Sequence, residues 1–576
     1  MPVYEFGPFR LNVEQRFLQR NGEPLAIESK PLEILALLIK NNGCLVTKDR
    51  LMQEIWPNTI VEDSNLTVCI SKIRKLLGDH PRRHKYIATL PRRGYRFVGS
   101  VRELEEDPDV QSLAVLPFDN SNRSAEIEYL TDGVTESLIY RLSKLPSLRV
   151  TPRNSAFHYK GKKLNVLTVR RKLGVDLVLM GRIGLHGQDL LVSVELLSAR
   201  SHKLIWGEQY QQRLSDLLSI QESIVREITE QLSAHIGTQP NVTKAPALGT
   251  NNNEAYKYNL KGRFHLTKRS EEHLNKSIGC FAHAIELDPG YALSYSGMAD
   301  AHNLLGFYCM RRPRDTFPHA KAAAMRALRI NGTLPEAHAA LGFVRGLFEW
   351  DWADAEKSLM TAIQFGPHYV PARLFYGCLL ITVGRVTEAI EQYQHAVRMD
   401  PLSLMANAAL GYGYYFARRY DEAIEQCRIA AELDENFQTA HIWLGWCYQQ
   451  KGWFEKACLA YERVVDLSLG RMDGLTELGI VYAKSGKHEQ ARKILKQLTT
   501  IAAKRYVSPY LIACIHAALG ELENTFSCLE SAYDNRCHVL LRLQMDPGLS
   551  ILHDDPRYFD LITRIGFSKG PRNTAS

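Results

Sequence analysis

The spacing of apolar positions divides the chain into stretches of different period. Residues 2–28 alternate apolar with polar in YEFGPFRL and RFLQRNGEPLAI, the period of half-buried strands, and Asn21-Gly22 is a hairpin turn signal. From Ser29 the period lengthens to that of a helix: SKPLEILALLIK runs to Lys40 with Pro31 in its first turn, and Asn42-Gly43 closes it. Thr47 caps a second helix, TKDRLMQEIW, whose apolar face is Leu51, Met52 and Ile55 and which Pro57 ends. In VEDSNLTVCISKIRKLL (61–77), Asp63 or Ser64 can cap a third helix. Leu66, Ile70, Ile73 and Leu77 give it one core-facing stripe, and Gly78 stops it. Two strands, over 86–90 and 94–98, then flank the turn Pro91-Arg92-Arg93.

The opposite face of the third helix carries Ser64, Val68, Ser71, Lys72 and Lys75, with Asn65 and Thr67 on its flanks. That face is short, polar and basic, which suits a DNA major groove. Lysines reach phosphates or guanine, hydroxyls reach base edges, and Val68 can meet a thymine methyl. A solvated surface helix would carry the same residues, so the surroundings decide. The whole chain has a net charge of +8, yet residues 61–98 hold nine Lys/Arg against Glu62, Asp63 and Asp79. This local excess of +6 suits a polyanionic partner.

Small strands, three helices and a basic terminal hairpin describe a winged helix (α+β). Two motifs, VEDSNLTVCISKIRKLL and YIATLPRRGYRF, carry a closer resemblance: residues 4–99 are similar to the effector domain of OmpR/PhoB-type transcriptional regulators. The resemblance implies that the third helix enters the major groove while the wing reaches the adjoining minor groove or backbone. By position it implies Thr67, Val68, Ser71 and Lys72 towards bases, and Arg74, Lys75 and Arg96 towards phosphates, with Ser64 a further DNA-binding residue of the same face. Arg92 and Arg93 stand at a hairpin tip suited to a narrow minor groove, where many family members have small residues. The loop of Trp56, Pro57, Asn58, Thr59 and Ile60 is, through the resemblance alone, a contact for RNA polymerase. The domain is assigned to residues 1–100; since it opens the sequence, no receiver is expected before it in this chain.

Residues 101–109, with RELEEDPD, read as an acidic linker. Residues 110–236 then read as a central α/β domain. Strand VQSLAVLPF, helix IEYLTDGVTESLIYRLSKL, strand LRVTPR and helix LNVLTVRRKLG precede three antiparallel strands and a helix over 214–232. This run is similar to the TolB-N-like segment. It lacks GxxxxGK[ST], a GxGxxG after a strand, and HExxH. Asp119 and Asp132 read as a turn and a helix cap, and His158 with the lysines of HYKGKK as a solvated loop. No catalytic residue, metal ligand or cofactor is assigned.

Beyond a linker at 237–253, Gly377, Gly411, Gly445 and Gly479 recur every 34 residues, as do Ala355, Ala389, Ala423, Ala457 and Ala491. Period and residue order match tetratricopeptide repeats. Gly and Ala let paired helices approach, and Tyr393, Cys427, Tyr461 and Leu495 fill the gap. About eight units over 254–566 predict an all-α, right-handed solenoid with an insertion at 311–315, followed by a disordered tail at 567–576. Tyr412, Tyr414, Tyr415, Trp443, Trp446 and Tyr448 are assigned mostly to its core rather than to a peptide groove.

The eleven cysteines contain no CxxC, and no apolar signal core opens the chain. The longest apolar run, 374–383, is about half a membrane span. A cytoplasmic protein without membrane contact is expected. Winged helix, TolB-N-like domain and solenoid, in that order, resemble the HilA/CadC/ToxR-like family of bacterial regulators. The resemblance implies a one-component regulator that binds double-stranded DNA sequence-specifically, without catalysis or cofactor. RNA polymerase and, through the solenoid, a protein partner or second copy are the other implied partners. Two rival readings are an interaction scaffold whose winged helix no longer binds DNA, and a small-molecule sensor built on 110–236.

Overall fold

The computed structural model describes residues 3–12, 17–20, 23–25, 27–56, 63–79, 85–91, 93–99, 101–104, 111–122, 125–145, 148–162, 165–187, 189–199, 201, 203–236, 249–467 and 472–567. They fall into two compact units, Met1–Gln111 and Ser112–Ser576.

In the first unit the alternating segments form an antiparallel ladder of β1 (Val3–Phe6), β2 (Phe9–Asn12), β3 (Phe17–Arg20) and β4 (Glu23–Leu25). There follow α1 (Ser29–Lys40), β5 (Val46–Thr47), α2 (Lys48–Ile55), α3 (Asp63–Leu77), β6 (Ile87–Leu90), β7 (Gly94–Phe97) and β8 (Arg102–Leu104). The three helices and the wing hairpin lie where the periodicity puts them. Two strands do not. β8 pairs with β1, so the start of the expected acidic linker is instead the edge of a five-stranded sheet. Pairing uses backbone groups, which charged residues supply as well as apolar ones, and a charged edge resists further pairing. β5 adds to β7, giving a second sheet of order β5-β7-β6. Thr47 both ends that strand and caps α2, its hydroxyl accepting from the Arg50 amide. The contact between β5 and the wing depends on Gly94: at φ 153°, a Cβ there would stand 2.1 Å from the Val46 carbonyl oxygen.

Leu66, Ile70, Ile73 and Leu77 of α3 are all buried, packed with Leu35 and Leu38 of α1 and Leu51 and Ile55 of α2. Each such side chain contributes roughly 1.5–3 kcal/mol by leaving water. This fixes which face of α3 turns outwards.

The second unit opens with β9 (Gln111–Val115), β10 (Asp119–Asn120), α4 (Ala125–Leu142), β11 (Leu148–Val150), α5 (Arg153–Phe157) and α6 (Val166–Leu173). The αL cap Gly174 ends α6, and β12 (Leu177–His186), β13 (Asp189–Ser198), β14 (Leu204–Arg213) and α7 (Leu217–Ile236) follow. The sheet order is β11-β9-β12-β13-β14. β9 and β10 run parallel to β12, and the last three strands are antiparallel as expected.

Among the described residues eight helix pairs succeed it: α8 (Asn253–Lys268) and α9 (Glu271–Leu287), α10 (Ala292–Phe307) and α11 (Pro313–Ile330), α12 (Pro335–Val344) and α13 (Trp352–Phe365), α14 (Val370–Thr382) and α15 (Val386–Met399). The other four are α16 (Leu404–Phe416) and α17 (Tyr420–Leu433), α18 (Gln438–Gln450) and α19 (Phe454–Leu467), α20 (Asp473–Lys484) and α21 (His488–Ala502), α22 (Pro509–Ala518) and α23 (Leu522–Asp534). A last helix, α24 (Pro556–Ile565), ends the fold. Tyr393, Cys427 and Tyr461 cover Gly377, Gly411 and Gly445, but at Gly479 the covering residues are Ile515 of α22 and Ile494, rather than the expected Leu495.

Three expected boundaries shift. Pro313 starts α11, so the predicted insertion is largely helix. Thr250 donates to Asp288 (2.5 Å) and Asn252 caps α8, so the end of the predicted 237–253 linker is built into the fold; residues 237–248 lie outside the described residues. Phe567 stacks on Trp352 at 5.7 Å rather than joining the expected tail, whose residues 568–576 also lie outside the described ones.

The central domain and the repeats belong to one unit. Leu260 of α8 packs over Gly133 of α4, and Arg263 donates to Glu136 at 2.7 Å. Further along, the Ser155 amide and hydroxyl donate to one Asp400 carboxylate oxygen (3.1 and 2.5 Å), and Asn154 donates to the other (2.9 Å).

Candidate functional site

With its apolar stripe buried, α3 turns Ser64, Asn65, Thr67, Val68, Ser71, Lys72 and Lys75 to solvent. Val68 is 52% exposed, high for a branched apolar residue that packing could have hidden. The exposed face therefore has the make-up expected from the sequence, but its cations do not all stand ready. Lys72 is bound by Glu28 at the N-terminus of α1, its ammonium 2.7 and 2.9 Å from the two carboxylate oxygens. That hydrogen bond holds the lysine above its ordinary pKa. Lys75, one turn on, is exposed.

Arg74 departs from the expected phosphate role. Half-buried, it donates one terminal nitrogen to the Ile87 carbonyl (2.9 Å) and the Thr89 hydroxyl (2.7 Å), tying α3 to the first wing strand. Its position on α3 lies between the outer face and the core, so the guanidinium meets protein backbone before it can meet solvent. Arg96, on β7 opposite Ala88, is also half-buried and has its Nε buried without a partner. At the wing tip the Arg93 side chain is exposed while its backbone is fixed: its amide donates to Leu90 (3.0 Å) and its carbonyl accepts from Lys48 (3.2 Å). Arg92 lies outside the described residues.

Of the loop assigned to polymerase contact, Trp56 packs against the core and lies near the Lys30 ammonium, 5.9 Å from its ring. Pro57, Asn58, Thr59 and Ile60 lie outside the described residues.

Sequence reasoning missed two residues that build the site. Asp79 counts as a mere opposing charge in the sequence. In the fold it is buried, and its carboxylate accepts from the Lys85 (2.8 Å), Tyr86 (3.0 Å) and Ile87 (2.8 Å) amides. It thereby anchors the wing strand to the end of α3. Its place just after the helix-stopping Gly78 is the one signal available in the chain. Glu28 carries none, because nothing local marks it as the partner of a lysine 44 residues away.

In the central domain Asp132 is no cap: it lies within α4 and binds Lys160 at 2.5 Å, and Lys160 also pairs with Glu128. The lysine at the centre of the HYKGKK loop is thus already neutralised. Among the described residues no cluster of His, Cys, Asp and Glu could hold a metal, and no helix is long and apolar enough to cross a membrane.

Comparison with known proteins adds independent observations. Residues 22–97 match the family model "Transcriptional regulatory protein, C terminal", and residues 109–230 match "HilA/YgeH-like transcriptional regulator, second domain". Residues 376–436, 408–471 and 473–505 match tetratricopeptide repeats. The transcriptional regulator HilA of Salmonella typhi is 22% identical over 537 residues, covering 90% of this chain and 92% of that one. The transcriptional activator CadC of Escherichia coli is 31% identical over 117 residues, 20% of this chain and 23% of CadC. A putative adenylate cyclase 3 of Rhizobium meliloti is 28% identical over 252 residues, 43% of each chain. The chain carries an OmpR/PhoB-type transcriptional-regulator domain, a HilA-like regulator domain and tetratricopeptide repeats, and over most of its length it is a homologue of HilA-type transcriptional regulators.

Proposed function

We propose that this chain is a cytoplasmic, non-catalytic transcriptional regulator that reads a specific DNA sequence with α3 and steadies the complex with its wing. The observation that carries the reading is the outer face of α3: small hydroxyls, Val68, Lys72 and Lys75 exposed over a fully buried stripe. Ser64, Thr67, Val68, Ser71 and Lys72 discriminate bases; Lys75, Arg92 and Arg93 neutralise phosphates or enter the minor groove. Arg74 takes a positioning role, holding the wing at a fixed angle to the reading helix, and Arg96 supports the wing from within. The repeats take a protein partner or a second copy of the chain. The loop that begins at Trp56 meets RNA polymerase through residues other than the packed indole.

Footprinting of DNA bound in cells, followed by fluorescence anisotropy on the recovered site, tests the reading. Specific binding should fall steeply with salt and be lost in a Lys72→Ala, Arg92→Ala, Arg93→Ala triple variant. Equal binding by that variant and the wild type would overturn the assignment.

A further inference from the structure

Between the central domain and the helix pairs lies a cavity of about 1330 Å³, walled by α4 and α5 on one side and by the repeats and the segment 538–545 on the other. It exceeds the volume of many small-molecule sites. Much of the wall is aromatic, with Phe307, Phe343, Phe375, Tyr412 and Trp446 contributing. Cations also line it, Arg263 and Arg542 among them, but along α10 and at the start of α12 four polar side chains, Ser296, Asp300, Asn303 and Glu336, offer acceptors that no described donor meets.

Asp300 of α10 faces the cavity and makes no hydrogen bond or ion pair with any described residue. Glu336, at the start of α12, is 7% exposed; its carboxylate accepts from its own amide, but Oε2 is buried with no partner. Asn303 lies three residues beyond Asp300 on the same helix. Its amide nitrogen donates to the Ala340 carbonyl (3.2 Å), which leaves its Oδ1 buried and unpartnered. One turn before Asp300, the buried hydroxyl of Ser296 is also unpartnered.

The nearby cation does not answer this deficit. Arg263 is engaged by Glu136, which Arg153 also approaches at 3.4 Å. Asp300 feels Arg263, and Glu336 feels Arg263 and Lys144, yet burial outweighs these cations and pushes both carboxyls up, Asp300 to about 7. Buried polar groups are ordinarily satisfied, and an unpaired buried carboxylate is costly.

We propose that this cavity binds a small organic cation, a primary ammonium on an apolar or aromatic body, with Asp300 and Glu336 as its counter-charge. An ammonium offers three donors and no acceptor, the complement of Asp300, Glu336 Oε2, Asn303 Oδ1 and Ser296. The aromatic wall takes the body of the ligand; the Trp446 ring already carries the Arg542 guanidinium at 4.1 Å, so the carboxyls and not that ring hold the charge. The site lies wholly within Ser112–Ser576 and stands whether or not α3 reads DNA.

Calorimetry and thermal-shift measurements on the full chain, with phenethylamine and spermidine as cations, test this. Neutral 2-phenylethanol and anionic 3-phenylpropionate serve as controls. At least one amine should bind saturably at millimolar concentration or tighter while the neutral and anionic analogues do not. Asp300→Asn and Glu336→Gln should each weaken that amine by about tenfold or more. Asp300→Asn removes a strained charge, so it should fold at least as well as the wild type and keep the comparison valid. No binding by either amine, unchanged affinity in both variants, or tighter binding of the carboxylate analogue would each overturn the proposal.

Discussion

Glu28 and Lys72 pair between the N-terminus of α1 and the exposed face of α3, the ammonium 2.7 and 2.9 Å from the two carboxylate oxygens. Lys72 is the most central cation of the exposed face of α3, so its engagement by Glu28 competes with any phosphate or guanine. Glu28→Gln should therefore strengthen DNA binding by about threefold at low salt, an exposed pair being weak, and steepen the salt dependence by about one counterion. Anisotropy over a KCl series measures both. A weaker complex would mean that Glu28 positions Lys72 rather than withholds it.

Neighbouring cations on α3 should separate by function. Arg74→Ala removes two hydrogen bonds from a half-buried guanidinium and should cost about 1–3 kcal/mol in the first unit, with faster hydrogen exchange at Ile87 and Thr89. Lys75→Ala should leave thermal stability within about 0.5 kcal/mol and weaken binding to all sequences alike, the signature of a phosphate contact. The reverse pattern would exchange their assignments.

Asp79→Ala leaves three consecutive amides leading into the wing's first strand without their acceptor. A loss of at least about 2 kcal/mol is expected, together with loss of DNA binding through a displaced wing. Asp79→Asn, which keeps one acceptor, should lie between. Wing amide exchange followed by mass spectrometry reads the effect directly.

Asp300 makes the second unit sensitive to pH. Its carboxyl is pushed from an ordinary 3.8 to about 7 by burial, partly offset by Arg263 and reinforced by Glu336; Tyr369 is the other titratable group that faces it. A carboxyl that holds its proton more tightly when folded costs stability as pH rises from about 4 to 7, and the full cost persists above. Asp300→Asn abolishes that cost, at most about 4 kcal/mol at pH 8 and about a third of that at pH 5. The melting temperature of the variant should exceed that of the wild type at pH 8, and the gap should narrow at pH 5. A gap independent of pH would assign the stabilisation to something other than the charge.

What was legible in the chain follows from the range of the interactions involved. The buried stripe of α3, its stop at Gly78 and the 34-residue recurrence of Gly and Ala are local periodicities, and the fold keeps them. β5 and β8 were hidden, since two and three residues are too few to show a period. The functions of the charged residues were the least legible. Arg74 and Lys75 are adjacent and chemically alike, yet one is turned to a backbone carbonyl and the other to solvent. Glu28 and Asp79 gain their importance only from neighbours that folding brings to them. The same holds for Asp300 and Glu336, whose shared cavity has no counterpart in sequence spacing.

The clasp of Ser155 on Asp400 sets a clock on synthesis. Its partners are separated by 245 residues, so the surface of the central domain is completed only after the fourth helix pair has left the ribosome. At about 5–20 residues per second, that is a delay of roughly 12–50 s in which the second unit waits with an unfinished wall. The first unit closes its contacts within Met1–Gln111 and has no such wait. During translation, the unit that carries the regulator domain is ready well before the unit that encloses the cavity.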